Sequence, residues 1–234
     1  MNREDTRNTK FHEAYHSYGL QTLLFLLLCN MYLVKTPWWL RKLYPSALTW
    51  KVAAQQNEIF LTFDDGPHPT ITPFVLEQLR KYNAKATFFC LGKNVKEYHN
   101  VFRQILDEGH RIGNHTHNHV NGWKSTDVAY LKNVFYARKY IDSNLFRPPY
   151  GRISRFQIQQ LKPTFNIVMW DVLSGDFDIN LSPQKCLENV VANTTPGSVI
   201  VFHDSEKAFP RLEYALPKAL EFFAEKGFVM KGIV

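Results

Sequence analysis

Between residues 58 and 230 short apolar runs alternate with amphipathic stretches, and this alternation limits what the chain can fold into more than any other feature. Glu58–Phe63 (EIFLTF) reads as a strand, and Thr72–Tyr82 follows with Phe74, Val75, Leu76 and Leu79 at helical spacing. Pro73 falls in the first turn of that helix, where a missing N–H is tolerated. Further strands are expected at Lys85–Leu91, His110–Asn114, Asn144–Arg147, Asn166–Asp171, Ser198–His203 and Gly227–Met230. Helices are expected at Asn94–Asp107, with Asn94 as the cap, and at Ser125–Ile141, Ser154–Leu161, Ser182–Ala192 and Arg211–Lys226. The resulting seven strands and six helices, with no Gly/Ser linker and no internal repeat, predict parallel strands with right-handed crossovers in one α/β domain.

The N-terminal part follows different rules. Ala14–Val34 has no formally charged residue around the centre Leu23–Leu28, and its 21 residues suffice for a transmembrane or signal-anchor segment. No small-x-small cleavage site follows it. A start at Met31 would instead remove the segment and leave a soluble chain. Residues 35–56 form a basic, aromatic lead-in with Lys35, Arg41, Lys42 and Lys51 and no acid, and Trp38-Trp39 is expected to pack on the domain or rest at a membrane interface. Most of the formal charge of +7 sits in this lead-in, which reads as a juxtamembrane flank and argues against a nucleic-acid stripe on residues 57–234. Cys29, Cys90 and Cys186 are far apart, so neither a disulfide framework nor a thiolate metal site is expected, and Cys90 reads as core filler.

Residues able to do chemistry gather after the expected strand ends. The first strand terminates in Asp64-Asp65, and Gly66-Pro67 forces a turn there. Such a pair is either a solvated turn or two carboxylates with separate tasks. His115 and His119 stand at i, i+4, which on a helical turn aims both imidazoles at one divalent ion; in an extended segment His115 and His117 would pair instead. Arg147-Pro148-Pro149-Tyr150-Gly151 is a stiff loop that can fix the Tyr150 N–H as an oxyanion donor. Trp170-Asp171, Asp176-Phe177-Asp178 and Val201-Phe202-His203 follow later strands. Side chains from so many parallel strands converge on one point when the sheet curls into a barrel, whose active site lies at that face.

TFDDGP at 62–67, HTHNH at 115–119, RPPYG at 147–151, Asp176-Phe177 and VFH at 201–203 occur in the order of the polysaccharide deacetylase family, also called the NodB-homology family or carbohydrate esterase family 4, which the chain resembles over about residues 57–230. The resemblance implies a distorted (β/α) barrel of about seven parallel strands as a single catalytic domain, and metal-dependent removal of N- or O-acetyl groups from a carbohydrate polymer. It implies Asp65, His115 and His119 as metal ligands, for zinc first and cobalt, nickel or manganese as alternatives. Asp64 resembles the general base, with Arg147 fixing it, and His203 resembles the general acid, with Asp176 holding its imidazole and Asp171 or Asp178 as competing candidates. The Tyr150 N–H would meet the oxyanion. Pro148, Val201 and Phe177 would line the substrate site, Val201 standing where leucine is common and Phe177 where tryptophan is usual. The implied partner is an acetylated carbohydrate, with no nucleic acid, and the implied place is the cell envelope, through residues 14–34. Two other classes compete: a carbohydrate-binding barrel without catalysis, which would need neither Asp64 nor His203, and a phosphoesterase, whose two-metal site calls for more ligands than these three.

Overall fold

The computed structural model describes residues 32–54 and 57–234, and Val34–Val234 form one compact unit. Nearly all of Ala14–Val34 therefore lies outside the described residues. Nine strands follow in chain order: β1 (Leu48–Thr49), β2 (Glu58–Asp64), β3 (Ala86–Cys90), β4 (Arg111–Asn114), β5 (Leu145–Phe146), β6 (Asn166–Val168), β7 (Val172–Leu173), β8 (Val199–His203) and β9 (Val229–Met230). The sheet order is β1-β6-β5-β4-β3-β2-β8-β7, with β9 also pairing β2, and every strand pair is parallel. Among the described residues no ladder joins β7 to β1, so the curled sheet is a barrel left open on one side, as a distorted (β/α) barrel requires. The lead-in crosses that side: Leu173 N–H donates to the Val34 carbonyl and Thr36 N–H to that of Asp171, while Lys35 and Lys51 bridge antiparallel to Val172 and Ser198.

Side-chain period decides which residues look inward. Along β2, Ile59, Leu61 and Phe63 join the large outer core, where Phe63 stacks between Phe88 and Phe202. That core is covered by the helices Ile71–Lys81 (α2), Pro183–Val191 (α7) and Phe209–Glu225 (α8), which supply Val75, Leu79, Cys186, Leu216 and Phe223. Phe60 faces the other way, into a small inner cluster with Phe89, Leu145, Val168, Val199 and Ile233. By the same alternation Thr62 and Asp64 of β2, Val201 and His203 of β8, and Arg147 after β5 fall on the inner face. β2 and β8 pair Asp64 directly with His203. A second outer core packs β5 and β6 against the helices Asp127–Ala137 (α5) and Arg155–Leu161 (α6) through Tyr130, Val134, Phe146 and Ile158.

All seven expected strands and six helical regions are present, with differences that have physical causes. The strand expected at Asn166–Asp171 ends at Val168, with Met169 N–H to the Thr49 carbonyl as the last bond of its ladder with β1, and a new strand paired with β8 starts at Val172. The helix expected at Asn94–Asp107 is two, Gly92–Glu97 (α3) and His99–Asp107 (α4), broken at Tyr98 (φ −111°, ψ 48°). Leu91 caps α3, and Asn94 lies inside it with its side chain turned to the Asp65 carbonyl. A further short helix, Trp38–Leu43 (α1), has no buried residue, and Trp38 and Trp39 are exposed. Cys90 is buried in the outer core, as expected of core filler.

Candidate active site

Asp64 is the last residue of β2 and is almost completely buried. Its Oδ1 accepts from Arg147 Nη1 at 2.8 Å. Arg147 is itself fully buried and satisfied: it also donates to Thr62 Oγ1 at 2.7 Å and to the carbonyls of Val168 and Met169 at 3.2 and 2.9 Å, while its guanidinium lies 4.1 Å from the Phe89 ring centre. A cation held by four acceptors cannot swing away, so the carboxylate it grips is fixed too.

The next residue turns outward. Asp65 has φ 82°, a left-handed conformation unusual for a residue with a side chain, and its Oδ1 comes within 3.7 Å of His115 Nε2, which Asp64 Oδ2 approaches at 4.0 Å. Three contacts hold the turn. Asn94 Nδ2 donates to the Asp65 carbonyl at 2.8 Å, Leu91 N–H to the Gly66 carbonyl at 2.9 Å, and Gly66 N–H to Asp204 Oδ1 at 3.0 Å. Asp204 is buried and takes a second, short bond from the Thr72 hydroxyl. The backbone comes so close that a Cβ on Gly66 would lie 2.1 Å from Asp204 Oδ2. Burial pushes the Asp204 carboxyl up to about 8. Asn94, Thr72 and Asp204 were not among the residues expected at the site; Asp204, adjoining His203 at a strand end, was the one with a visible signal.

His115 and His119 meet at the site, but not on a helical turn. Thr116 (φ 67°) and His119 (φ 57°) are both left-handed, and this loop brings the two rings to 5.1 Å. His115 Nδ1 lies 2.8 Å from the Arg147 carbonyl, which can only accept, so Nδ1 carries the proton and Nε2 presents a lone pair. Burial holds this imidazole down to about 4, in its neutral form. His119 Nδ1 lies 3.0 Å from Tyr150 Oη, a hydroxyl that can accept from it or donate to it. Both Nε2 atoms approach Asp65 Oδ1, at 3.7 Å for His115 and 3.1 Å for His119. His117 instead packs against Tyr136 and Tyr140 and takes no part.

Asp65, His115 and His119 fit a divalent ion. Their ligand atoms lie within 4.8 Å of one another, and Asp65 Oδ1 is buried with no hydrogen-bond partner of its own. One carboxylate with two imidazoles is a donor set for a first-row divalent cation, and three protein ligands leave positions open. Burial alone would raise the Asp65 carboxyl, but the His119, His203 and His115 imidazoles hold it below the ordinary carboxylate range.

Across from Asp64, His203 Nδ1 lies 2.7 Å from Asp176 Oδ1, and its backbone N–H donates to Asp176 Oδ2 at 2.7 Å. Burial would lower this imidazole; Asp176 outweighs burial and pushes it up to about 9. The geometry separates Asp176 from its two competitors. Asp171 is buried among Lys35, Arg41 and Ser198, and Asp178 Oδ1 accepts from Asn180 N–H. Phe177 packs edge-on against His203 at 5.3 Å. Val201 and Pro148 are buried, and Tyr150, exposed at φ 60°, follows two prolines.

A fold of this kind with a candidate three-ligand metal site, a fixed carboxylate and a raised histidine suits a metal-dependent hydrolase. The family model for polysaccharide deacetylases matches residues 51–164. The chain is 34% identical over 188 residues to a peptidoglycan-N-acetylglucosamine deacetylase of Bacillus cereus, covering 77% of this chain and 88% of that protein. It is 35% identical over 163 residues to a chitooligosaccharide deacetylase of Azorhizobium caulinodans, covering 66% and 77%. The crystal structure of the Bc1960 peptidoglycan N-acetylglucosamine deacetylase matches with a TM-score of 0.77 at 32% identity, over 85% of this chain and 95% of that one. The chain belongs to the polysaccharide deacetylase family, and is a metal-dependent enzyme that removes acetyl groups from carbohydrate. The fold alone does not carry that activity, since a pseudoenzyme of the same family, from Bacillus anthracis, is similar with a TM-score of 0.69 at 22% identity, over 81% of this chain and 68% of that one.

Proposed function

We propose that the enzyme hydrolyses the N-acetyl group of N-acetylglucosamine units in a cell-envelope glycan, with Asp64 as base and His203 as acid. The observation that carries this reading is the register of β2 and β8, which sets the two groups side by side, one gripped by Arg147 and the other by Asp176. Asp65, His115 and His119 would hold the ion, for which zinc is our first choice. When bound, such an ion activates water and polarises the acetyl carbonyl. Asp64 takes the proton of the attacking water, and its contact with Arg147 keeps the carboxylate aimed at it. The Tyr150 N–H is placed by Pro148 and Pro149 to meet the oxyanion. His203, raised by Asp176, delivers a proton to the departing nitrogen. Val201, Pro148 and Phe177 are the proposed walls for the acetyl group and its sugar.

The substrate class rests on the relatives that act on peptidoglycan and chitooligosaccharide. Exposed Trp38 and Trp39, with Lys42 4.9 Å from the Trp38 ring centre, directly follow the apolar run, which supports a membrane-side lead-in and an anchor at residues 14–34. No helix among the described residues is long and apolar enough to cross a membrane. The catalytic domain on this reading is residues 57–234, with 35–56 as the lead-in.

Acetate release from peptidoglycan and from chitooligosaccharides, measured beside metal content, tests the assignment. Asp64→Asn should keep the ion and lose at least about a hundredfold in turnover, the scale of a lost general base. His115→Ala should lose both ion and turnover. An Asp64→Asn enzyme with its ion and near-normal turnover would remove Asp64 from the mechanism.

A further inference from the structure

Trp123 is a large aromatic side chain left 55% exposed, yet it is held rigidly. Its indole N–H donates to the Ile153 carbonyl at 3.1 Å, and the Arg152 guanidinium lies 4.2 Å from its ring centre. The backbone beneath it is clamped as well. Gly122 N–H donates to the Arg152 carbonyl at 3.2 Å, Gln157 Nε2 donates to the Gly122 carbonyl at 2.9 Å, and a Cβ on Gly122 would lie 2.4 Å from the Arg152 oxygen. The Gln157 side chain is locked in turn: its Oε1 accepts from Ser154 N–H at 2.9 Å, and its Nε2 donates to Asp127 at 2.8 Å.

The two segments that make this mount also carry His119, one of the three candidate metal ligands, and Tyr150, which touches it. Trp123 follows His119 by four residues, and Arg152 follows Tyr150 by two. His119 and Tyr150 already touch, with ring centres 4.5 Å apart, and Tyr150 is itself exposed. Four extended residues reach at most about 14 Å, so Trp123 stands within a few sugar units of the reacting acetyl group. With its N–H occupied by the protein and one face toward Arg152, the indole offers a ligand only apolar surface. The apolar face of a pyranose ring fits such a surface, and Arg152 lies beside it as a donor for hydroxyl or carboxylate oxygens.

We propose that Trp123 and Arg152 form a distal subsite that stacks a pyranose ring of the same glycan chain, beyond the unit being deacetylated. The inference rests on the reading of the enzyme as a glycan deacetylase. Because the platform is fixed before binding, it adds affinity with little ordering cost.

Length dependence tests it. Binding of N-acetylated chitobiose and chitohexaose is measured by calorimetry on the full chain in an Asp64→Asn background, with and without Trp123→Ala, and turnover of both lengths is measured in the otherwise unaltered enzyme. Trp123→Ala should weaken chitohexaose binding about tenfold, the scale of one lost stacking contact, and leave chitobiose binding unchanged. Its KM should rise for chitohexaose alone, with kcat unchanged, and Trp123→Phe should recover most of the loss. Equal loss on both lengths, or none on either, would overturn the subsite. Loss of binding to anionic lipid vesicles with no length effect would overturn it too and assign Trp123 to a membrane surface. If chitohexaose binds in a Trp123-dependent way but is not deacetylated, the assigned substrate fails while the subsite stands.

Discussion

Two histidines with opposite protonation preferences sit in this site, and their immediate partners set the difference. His115 is buried against a carbonyl and held down to about 4, whereas His203 is buried against a carboxylate and raised to about 9. A metal ligand must offer a lone pair and a general acid must keep a proton, so each environment suits its proposed task. On the proposed mechanism the acid form of His203 is the working form; it is present below about 9 and lost as pH rises through that value. Asp176→Asn removes the charge that raises it, and the imidazole falls toward its unperturbed value of about 6.5. The alkaline limb of kcat/KM should then move to lower pH, with the largest loss of rate between those two values. An unchanged alkaline limb would show that His203 does not set it.

At the scale of elements, the strand ends and the turns that follow them do the positioning. Asp65 reaches the histidines only because the Asp65-Gly66-Pro67 turn takes a left-handed residue at its first position, and Asp204, after β8, clamps that turn from behind. Asp204→Ala leaves the buried Gly66 N–H without an acceptor, at about 1–3 kcal/mol for such a group, and takes the acceptor of the Thr72 O–H, whose oxygen still accepts from His68 N–H. We expect a lower denaturant midpoint together with weaker metal binding in competition with a chelator. Asp204→Asn, which can still accept from Gly66, should be milder in both. A destabilised Asp204→Ala enzyme with undiminished metal affinity would mean that the turn holds its shape without the clamp.

At the scale of the molecule, the open side of the barrel is tied by charge. Lys35 and Arg41 reach the fully buried Asp171 carboxylate, Lys51 stands 3.9 Å away, and Ser198 Oγ donates to it at 2.6 Å. Three of the four lead-in cations are thus structural, and the juxtamembrane reading of this charge holds at most for Lys42. Replacing Asp171 with Ala strands cations that face one another. Breaking a fully buried pair costs about 3–5 kcal/mol. The partners here keep about a third of their surface in water, so a loss of about 2–4 kcal/mol in denaturant unfolding is expected. Loss of protection of the Thr36 and Leu173 amides in hydrogen exchange should accompany it. Full retention of both would mean that the backbone bridges alone hold the lead-in.

The sequence by itself determined the parallel α/β barrel, because apolar period and turn residues are local properties that survive without any knowledge of partners. It also located Asp64, Asp65, His115, Arg147 and His203, because parallel strands deliver the residues after their C-terminal ends to one face whatever the details between them. Tertiary structure alone decided the rest. Nothing local distinguishes Asp171, Asp176 and Asp178; one is taken by cations from the lead-in, one by His203 and one by its own turn. The i, i+4 spacing of His115 and His119 pointed to a shared ligand but not to the loop that creates it, since left-handed Thr116 is held by Asn114 Oδ1 and the Gly92 N–H, and the two rings by the Arg147 carbonyl and the Tyr150 hydroxyl. The short strands β1 and β7 carry too few residues to show a period, and they exist because β6 and β8 offer edges to pair with. Long-range pairing assigns such residues their roles, and a chain read in order does not display its long-range pairs.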